Sequence, residues 1–269
     1  MILNKDNVFS ESSYFNVPVY YDSYKKIYFS IIDDKEISEF YNKQYYDNFY
    51  GKRQKGLFTR IIESFDKKFN FNEIVCINDL NILIDKKLLR KKSTLLEIGC
   101  GNGRNVMFLN KRYKIKSAKG IEPDKLIFKD LDKKYFVNSV YKSGLFKEKF
   151  DIIYMRHVLE HVNKLDDFIN EMKKDMMKNG IVYVNVPNAL NKKILKISIK
   201  DHPHVYHFTQ FGLDYLFESH GFKKVDSFTY DKKKHNKVLN ILKKYFFMPS
   251  YEIKKDNYSE FLVGIYKIQ

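Results

Sequence analysis

Two groups of residues in this sequence could do chemistry. The first is Glu97-x-Gly99-x-Gly101-x-Gly103, an acid followed by three glycines at alternate positions, with Glu122 lying 23 positions beyond Gly99. Without a Cβ, glycine permits a tight turn and lets a ligand come close to the backbone. A carboxylate about 20 residues further on can accept hydrogen bonds from ribose hydroxyls. A dinucleotide loop would read G-x-G-x-x-G, but counted from Gly99 its last position holds Arg104, so the third glycine comes one residue early. The second group is histidine-rich: His157-x-x-Glu160-His161, then His202, His204 and His207. An imidazole titrating near neutrality can take a proton from a hydroxyl. Two histidines four apart beside an acid can also bind a metal.

These residues need elements to hold them. Leu95, Leu96 and Ile98 predict a strand into the glycine loop, and residues 105–109 a helix out of it. Residues 119–122 and 135–138 read as the second and third strands. Residues 150–156 read as a fourth, running into a helix that starts at His157. Its apolar positions 158, 162, 165, 169, 172 and 176 form one stripe, so His157 and His161 are expected on one helix face near the C-terminal end of the sheet. Residues 180–187 form a fifth strand, stopped by Pro187. An insertion over 189–206 leads into His207-Phe208-Thr209, and a helix over 210–222 is closed by Gly221. Strands over 223–230 and 261–268 complete the sheet. Ahead of it, helical spacing over 38–50, 57–65 and 80–89 predicts a tyrosine-rich helical cap for residues 1–90.

Composition bounds the function classes. A hydrophobic content of 44% supplies a core, and no stretch offers the ~20 apolar residues of a membrane span. The start, Met1-Ile2-Leu3-Asn4-Lys5-Asp6, lacks an export signal pattern, and two cysteines make no disulfide framework. The expected compartment is therefore the cytoplasm. The net charge of +16 fits an anionic substrate, nucleic acid or an acidic membrane face, and equally a Lys- and Asn-rich background composition. The basic stretch 232–251, with its aromatic end, can lie on an anionic membrane or present charge and stacking rings to RNA. Peripheral membrane contact is therefore open, and a protein binding RNA or a membrane surface is an alternative of another class. No RNA-module signature is visible, so nucleic acid is not expected as the partner.

Together, the glycine loop, Glu122, Phe150-Asp151 leading to His157-Val158-Leu159-Glu160-His161, and His207-Phe208-Thr209 before Gly221-Phe222 resemble the class I S-adenosylmethionine-dependent methyltransferases, over about residues 90 to 230. The resemblance is to the broad subfamily holding the ubiquinone-biosynthesis O-methyltransferases and many sugar methyltransferases. It implies an α/β, Rossmann-like, seven-stranded and mostly parallel sheet with helices on both faces. The domain would span 91–269 behind the helical cap, with a substrate-covering insertion at about 189–209. S-adenosyl-L-methionine (SAM) would be the donor and S-adenosyl-L-homocysteine (SAH) the product. Cofactor contacts would come from Glu97, Gly99, Cys100, Gly101, Gly103, Glu122, Pro123, Asn138, Ser139 and Arg156. Related enzymes usually place an acid near the adenine where this chain has Ser139 beside Asn138. His207 would be the active-site base, with His161 and His157 as alternatives and no metal.

The expected reaction is O-methylation of a small polar acceptor, phosphorylated or nucleotide-linked, with a sugar first. N- or C-methylation and quinol O-methylation are the alternatives, and oligomeric state is left open. One rival class is spelled by the same residues. His157-x-x-Glu160-His161 matches the H-x-x-E-H string of inverted zinc peptidases, with Glu160 as general base. That class has no need of the upstream glycine loop or Glu122.

Overall fold

The computed structural model describes residues 3–5, 7–33, 35–37, 39, 78–232, 251–254 and 257–269. In chain order the strands and helices are β1 (Asn7–Ser12), β2 (Pro18–Asp22), β3 (Ile27–Ser30), α1 (Asn78–Asp85), β4 (Thr94–Ile98), α2 (Arg104–Phe108), β5 (Ser117–Ile121), α3 (Lys125–Phe128), β6 (Phe136–Val137), β7 (Phe150–Arg156), α4 (Leu165–Lys174), β8 (Met176–Pro187), α5 (Lys192–Lys200), β9 (Tyr206–Phe208), α6 (Gln210–Ser219), β10 (Phe222–Lys232), β11 (Tyr251–Lys254) and β12 (Phe261–Ile268). The chain divides into two compact units. One comprises 1–34, 141–232 and 251–269; the other comprises 35–140 and 233–250. Among the described residues no helix is long and apolar enough to cross a membrane.

The second unit holds the glycine loop. β4 pairs in parallel with β5, and β5 with β6, in registers that set Ile98 beside Ile121 and Gly120 beside Phe136. All five residues of β4 are buried, as expected for a parallel strand covered on both faces. α2 leaves the loop directly after Gly103, and α3 is capped by the Asp124 carboxylate, which accepts from the Leu126 and Ile127 amides.

The first unit carries a five-strand ladder in the order β11-β10-β12-β8-β7. β7 and β8 are parallel; β8–β12, β12–β10 and β10–β11 are antiparallel. Tyr154 of β7 stacks on Tyr183 of β8 with ring centroids 5.1 Å apart, both fully buried. A second sheet in this unit runs β1-β2-β3-β9, all antiparallel. The β2–β3 turn is closed by Asp22, whose carboxylate accepts from the Lys25 backbone amide at 2.7 Å and its ammonium at 3.0 Å.

Several expectations change. Residues 7–30 are strands rather than helical cap. Val17 to Tyr21 and Ile27 to Phe29 are rich in β-branched and aromatic residues on either side of an Asp-Ser loop, which is hairpin chemistry. Residues 1–34 also group with 141–232 rather than with the rest of the first 90. The helices expected at 38–50 and 57–65 and most of the basic stretch 232–251 lie outside the described residues, as does Cys76. The one expected at 80–89 is present as α1, ending earlier. No helix begins at His157. That residue has φ 53, a left-handed conformation that ends β7, and only a 3-10 turn, Leu159–His161, precedes α4. The apolar stripe at 165, 169 and 172 does face the core of α4. β8 starts four residues before the expected strand, and β11 pairs outside β10, a strand the periodicity does not contain.

Candidate functional site

The cofactor candidates of the second unit converge at the C-terminal ends of β4 and β5. Gly99, Gly101 and Gly103 all have positive φ (69, 53 and 71°), so the loop is wound through the left-handed region three times. The Gly99 and Cys100 amides both donate to the Ile121 carbonyl, at 2.9 and 3.0 Å, which fixes the loop to the end of β5. Glu122 follows β5 and is 5% exposed. One of its oxygens accepts from the Gly101 amide at 2.7 Å and the other from the Asp124 amide at 2.9 Å. Burial pushes its carboxyl above the usual carboxylate range, against the pull of those two amides. Asn138 donates its side-chain amide to the carbonyls of Glu122 and Pro123, at 2.8 and 3.0 Å, and so braces the turn carrying the acid.

Glu97 is buried at the end of β4 and accepts from the Asn105 side chain at 2.6 Å. Cys100 is a free, buried thiol, pushed up by burial and by the nearby Glu97 and Glu122 carboxylates. It is a packing group, not a nucleophile. Ser139 turns its hydroxyl onto the Val140 carbonyl. A Cβ built on Gly101 would meet nothing within 4 Å, so the loop faces open space there. That opening, beside a carboxylate that can accept from a diol, suits an adenosyl cofactor approaching the backbone.

The remaining candidates belong to the first unit, where the turn after β7, the segment between α5 and β9, and β9 itself gather five histidines. Arg156 is the last residue of β7. His157 is partly exposed, and its Nδ1 lies 3.1 Å from Glu160 Oε1. Glu160 is 1% exposed. His161 places Nδ1 3.1 Å from the Pro203 carbonyl, and burial lowers its pKa. His207 pairs across β9 and β3 with Tyr28. It is 2% exposed, and burial holds its pKa at about 3. Ser198 Oγ of α5 sits 2.7 Å from Nδ1 of both His204 and His207.

The i, i+4 helix face expected for His157 and His161 is therefore absent, and with it the paired-histidine helix that a zinc peptidase needs. Sequence reasoning passed over Ser198 and Asn105, which carried no signal, and gave His204 no role of its own within the histidine-rich group.

Comparison with known proteins agrees with the geometry of the loop. The family described as "Methyltransferase domain" matches residues 75–227, more than half of the chain. A "Ubiquinone biosynthesis O-methyltransferase" of Pelagibacter ubique (strain HTCC1062) is 31% identical over 173 residues, covering 54% of this chain and 68% of that protein. Among solved structures, a SAM-dependent methyltransferase from Archaeoglobus fulgidus aligns with a TM-score of 0.51 at 18% identity, over 77% of this chain and 99% of the other. The plantazolicin methyltransferase BamL, in complex with a triazolic desmethylPZN analog and SAH, aligns with a TM-score of 0.51 at 14% identity, over 87% and 97%. At these identities the two structures speak for the fold: a Rossmann-like α/β domain with a mostly parallel sheet.

Proposed function

The chain belongs to the methyltransferase domain family and is a SAM-dependent methyltransferase, and from that premise we propose that it O-methylates a small polar acceptor, with His157 taking the hydroxyl proton. SAM supplies an electrophilic methyl group on a sulfonium. Glu122 accepts the ribose hydroxyls, the loop from Gly99 to Gly103 gives the cofactor its backbone contacts, and Asn138 keeps Glu122 in position. Glu97, Cys100 and Pro123 shape the loop from behind, while Ser139 and Arg156 are weaker candidates for contact.

The observation that carries the choice of base is the His157–Glu160 contact of 3.1 Å at a partly exposed position on the end of β7. The buried carboxylate orients the ring and stabilises the imidazolium formed on proton transfer, the logic of a base held by a third group. His207 fits the role less well. It is sealed from solvent, tied to Ser198, and with a pKa of about 3 it accepts a proton poorly at pH 7.

The acceptor we place first is a sugar carried on a nucleotide or another phosphate, supported by the +16 charge and by hydroxyl-binding His, Tyr and Asn side chains. The likeness to a ubiquinone-biosynthesis O-methyltransferase favours a quinol as the second reading. A screen of nucleotide sugars, quinols and total RNA, read as SAH released, decides between them. Turnover on a sugar hydroxyl alone is expected. A quinol as sole acceptor replaces the first reading with the second, and an amine or RNA as sole acceptor overturns both.

A further inference from the structure

The histidine cluster holds more polar chemistry than a proton transfer uses. Glu160, His161 and His204 each offer one ligand atom, and all three atoms lie within 4.8 Å of one another. We propose that these three residues bind one divalent transition-metal ion, with zinc the best match to two imidazoles and a carboxylate. The site is built wholly within the first unit and shares Glu160 with the proposed base, His157.

Three observations support it. The first is tautomer control. A carbonyl oxygen can only accept, so the Pro203 carbonyl fixes the proton of neutral His161 on Nδ1 and puts the lone pair on Nε2. Ser198 Oγ stands 2.7 Å from Nδ1 of both His204 and His207 and has one proton to give; when it gives that proton to His207 and accepts from His204, the His204 Nε2 lone pair is left for the ion. A hydrogen-bond partner on one ring nitrogen, leaving the other for the ion, is how metal-binding histidines are held.

The second is an unsatisfied carboxylate. Glu160 Oε1 meets His157, but Oε2 is buried and has no hydrogen-bond partner among the described residues. An uncompensated buried carboxylate oxygen is costly, and a cation beside it removes the cost. His207 Nε2, on a ring 6.1 Å from that of His204, is a second buried polar atom with no hydrogen-bond partner among the described residues.

The third is a firm backbone. The Val205 amide donates to the Glu160 carbonyl at 2.8 Å, so the post-β7 turn and the segment leading into β9 are already joined. The His161 and His204 rings meet edge to face, 4.6 Å apart. Burial lowers the pKa of both, in keeping with the neutral form a ligand requires. The arrangement differs from the H-x-x-E-H reading of the sequence: Glu160 is a ligand here rather than the base, and His157 lies outside the donor set.

The test is to strip the full chain with a chelator and titrate it with zinc chloride by calorimetry, beside Glu160→Gln, His204→Asn and, as a control outside the cluster, His220→Asn. SAH binding checks that each protein is folded. The expected result is one zinc per chain for the wild type and the control. At saturation the melting temperature should rise by about 5–10 °C, and each cluster variant should bind at least tenfold more weakly. Should either variant fail to fold, the wild type loaded with cobalt decides: visible d–d bands of a four- or five-coordinate N/O site support the proposal, and an octahedral aquo spectrum contradicts it. Folded wild type that takes up no stoichiometric zinc, or binding indifferent to Glu160→Gln and His204→Asn, would overturn it.

Discussion

Glu122 sits where two opposing effects meet. Two backbone amides favour its charged form, yet burial wins and its carboxyl titrates above the ordinary value of 4.5. The folded protein therefore keeps a proton there at pH values where the unfolded chain has lost it. This contribution to stability is fully present below about pH 4.5 and is lost as pH rises through the folded value. Ribose hydroxyls donating to Glu122 favour the ionised form, so the thermal shift produced by SAH should grow with pH across the same window. Scanning calorimetry from pH 4.5 to 7.5, with and without SAH, measures it, and Glu122→Ala should flatten the trend. His157 gives a second residue-level expectation. His157→Asn should lower kcat about 10²- to 10⁴-fold with SAH binding unchanged, whereas His207→Asn should act on the melting temperature, because its ring is buried against Ser198. Loss of turnover in a folded His207→Asn with normal turnover in His157→Asn would reverse the assignment.

At the scale of elements, the alternate glycines do two jobs. Gly101 faces open space, whereas a Cβ on Gly103 would lie 2.5 Å from the Phe136 ring, so α2 leaves the loop pressed against β6. Gly103→Ala should therefore cost about 1–3 kcal/mol through overpacking and left-handed strain, seen as a lower urea midpoint. A midpoint equal to wild type would mean that the loop repacks freely. The loop, β4, β5 and Glu122 were legible in the sequence because glycine spacing and the acid beyond it report backbone requirements directly. β7, β8 and β12 were legible as apolar runs of strand length. The turn after β7 was not. Apolar residues at 158, 162 and 165 keep a helical period, but His157 takes φ 53 and hands its amide to the Asn185 carbonyl. A tertiary bond overrode the local pattern there. The N-terminal strands were passed over because β1 to β3 are only six, five and four residues long, and their partner β9 lies some 180 residues further on. Neither Ser198 nor the bare Glu160 oxygen has any signature in sequence spacing.

For the molecule as a whole, 49 lysines and arginines exceed 33 acids, and nearly all of that excess falls within 35–140 and 233–250, with 28 basic residues to 13 acids against 21 to 20 in the other unit. If the acceptor carries phosphate, its KM should rise as ionic strength goes from 0.05 to 0.5 M at nearly constant kcat, since the Debye length falls from roughly 14 to 4 Å. A flat KM would remove charge from the argument for a phosphorylated acceptor. The stronger claim is the donor site proposed for the loop and acid of the second unit. Equilibrium calorimetry of SAH on wild type, Gly101→Val and Glu122→Ala tests it most directly. The account predicts one SAH per wild-type chain and binding weakened at least tenfold in each variant, with Gly101→Val also lowering the unfolding midpoint because a β-branched residue is strained at φ 53. Tight SAH binding that survives both substitutions, or a folded wild-type chain that binds none, would contradict it.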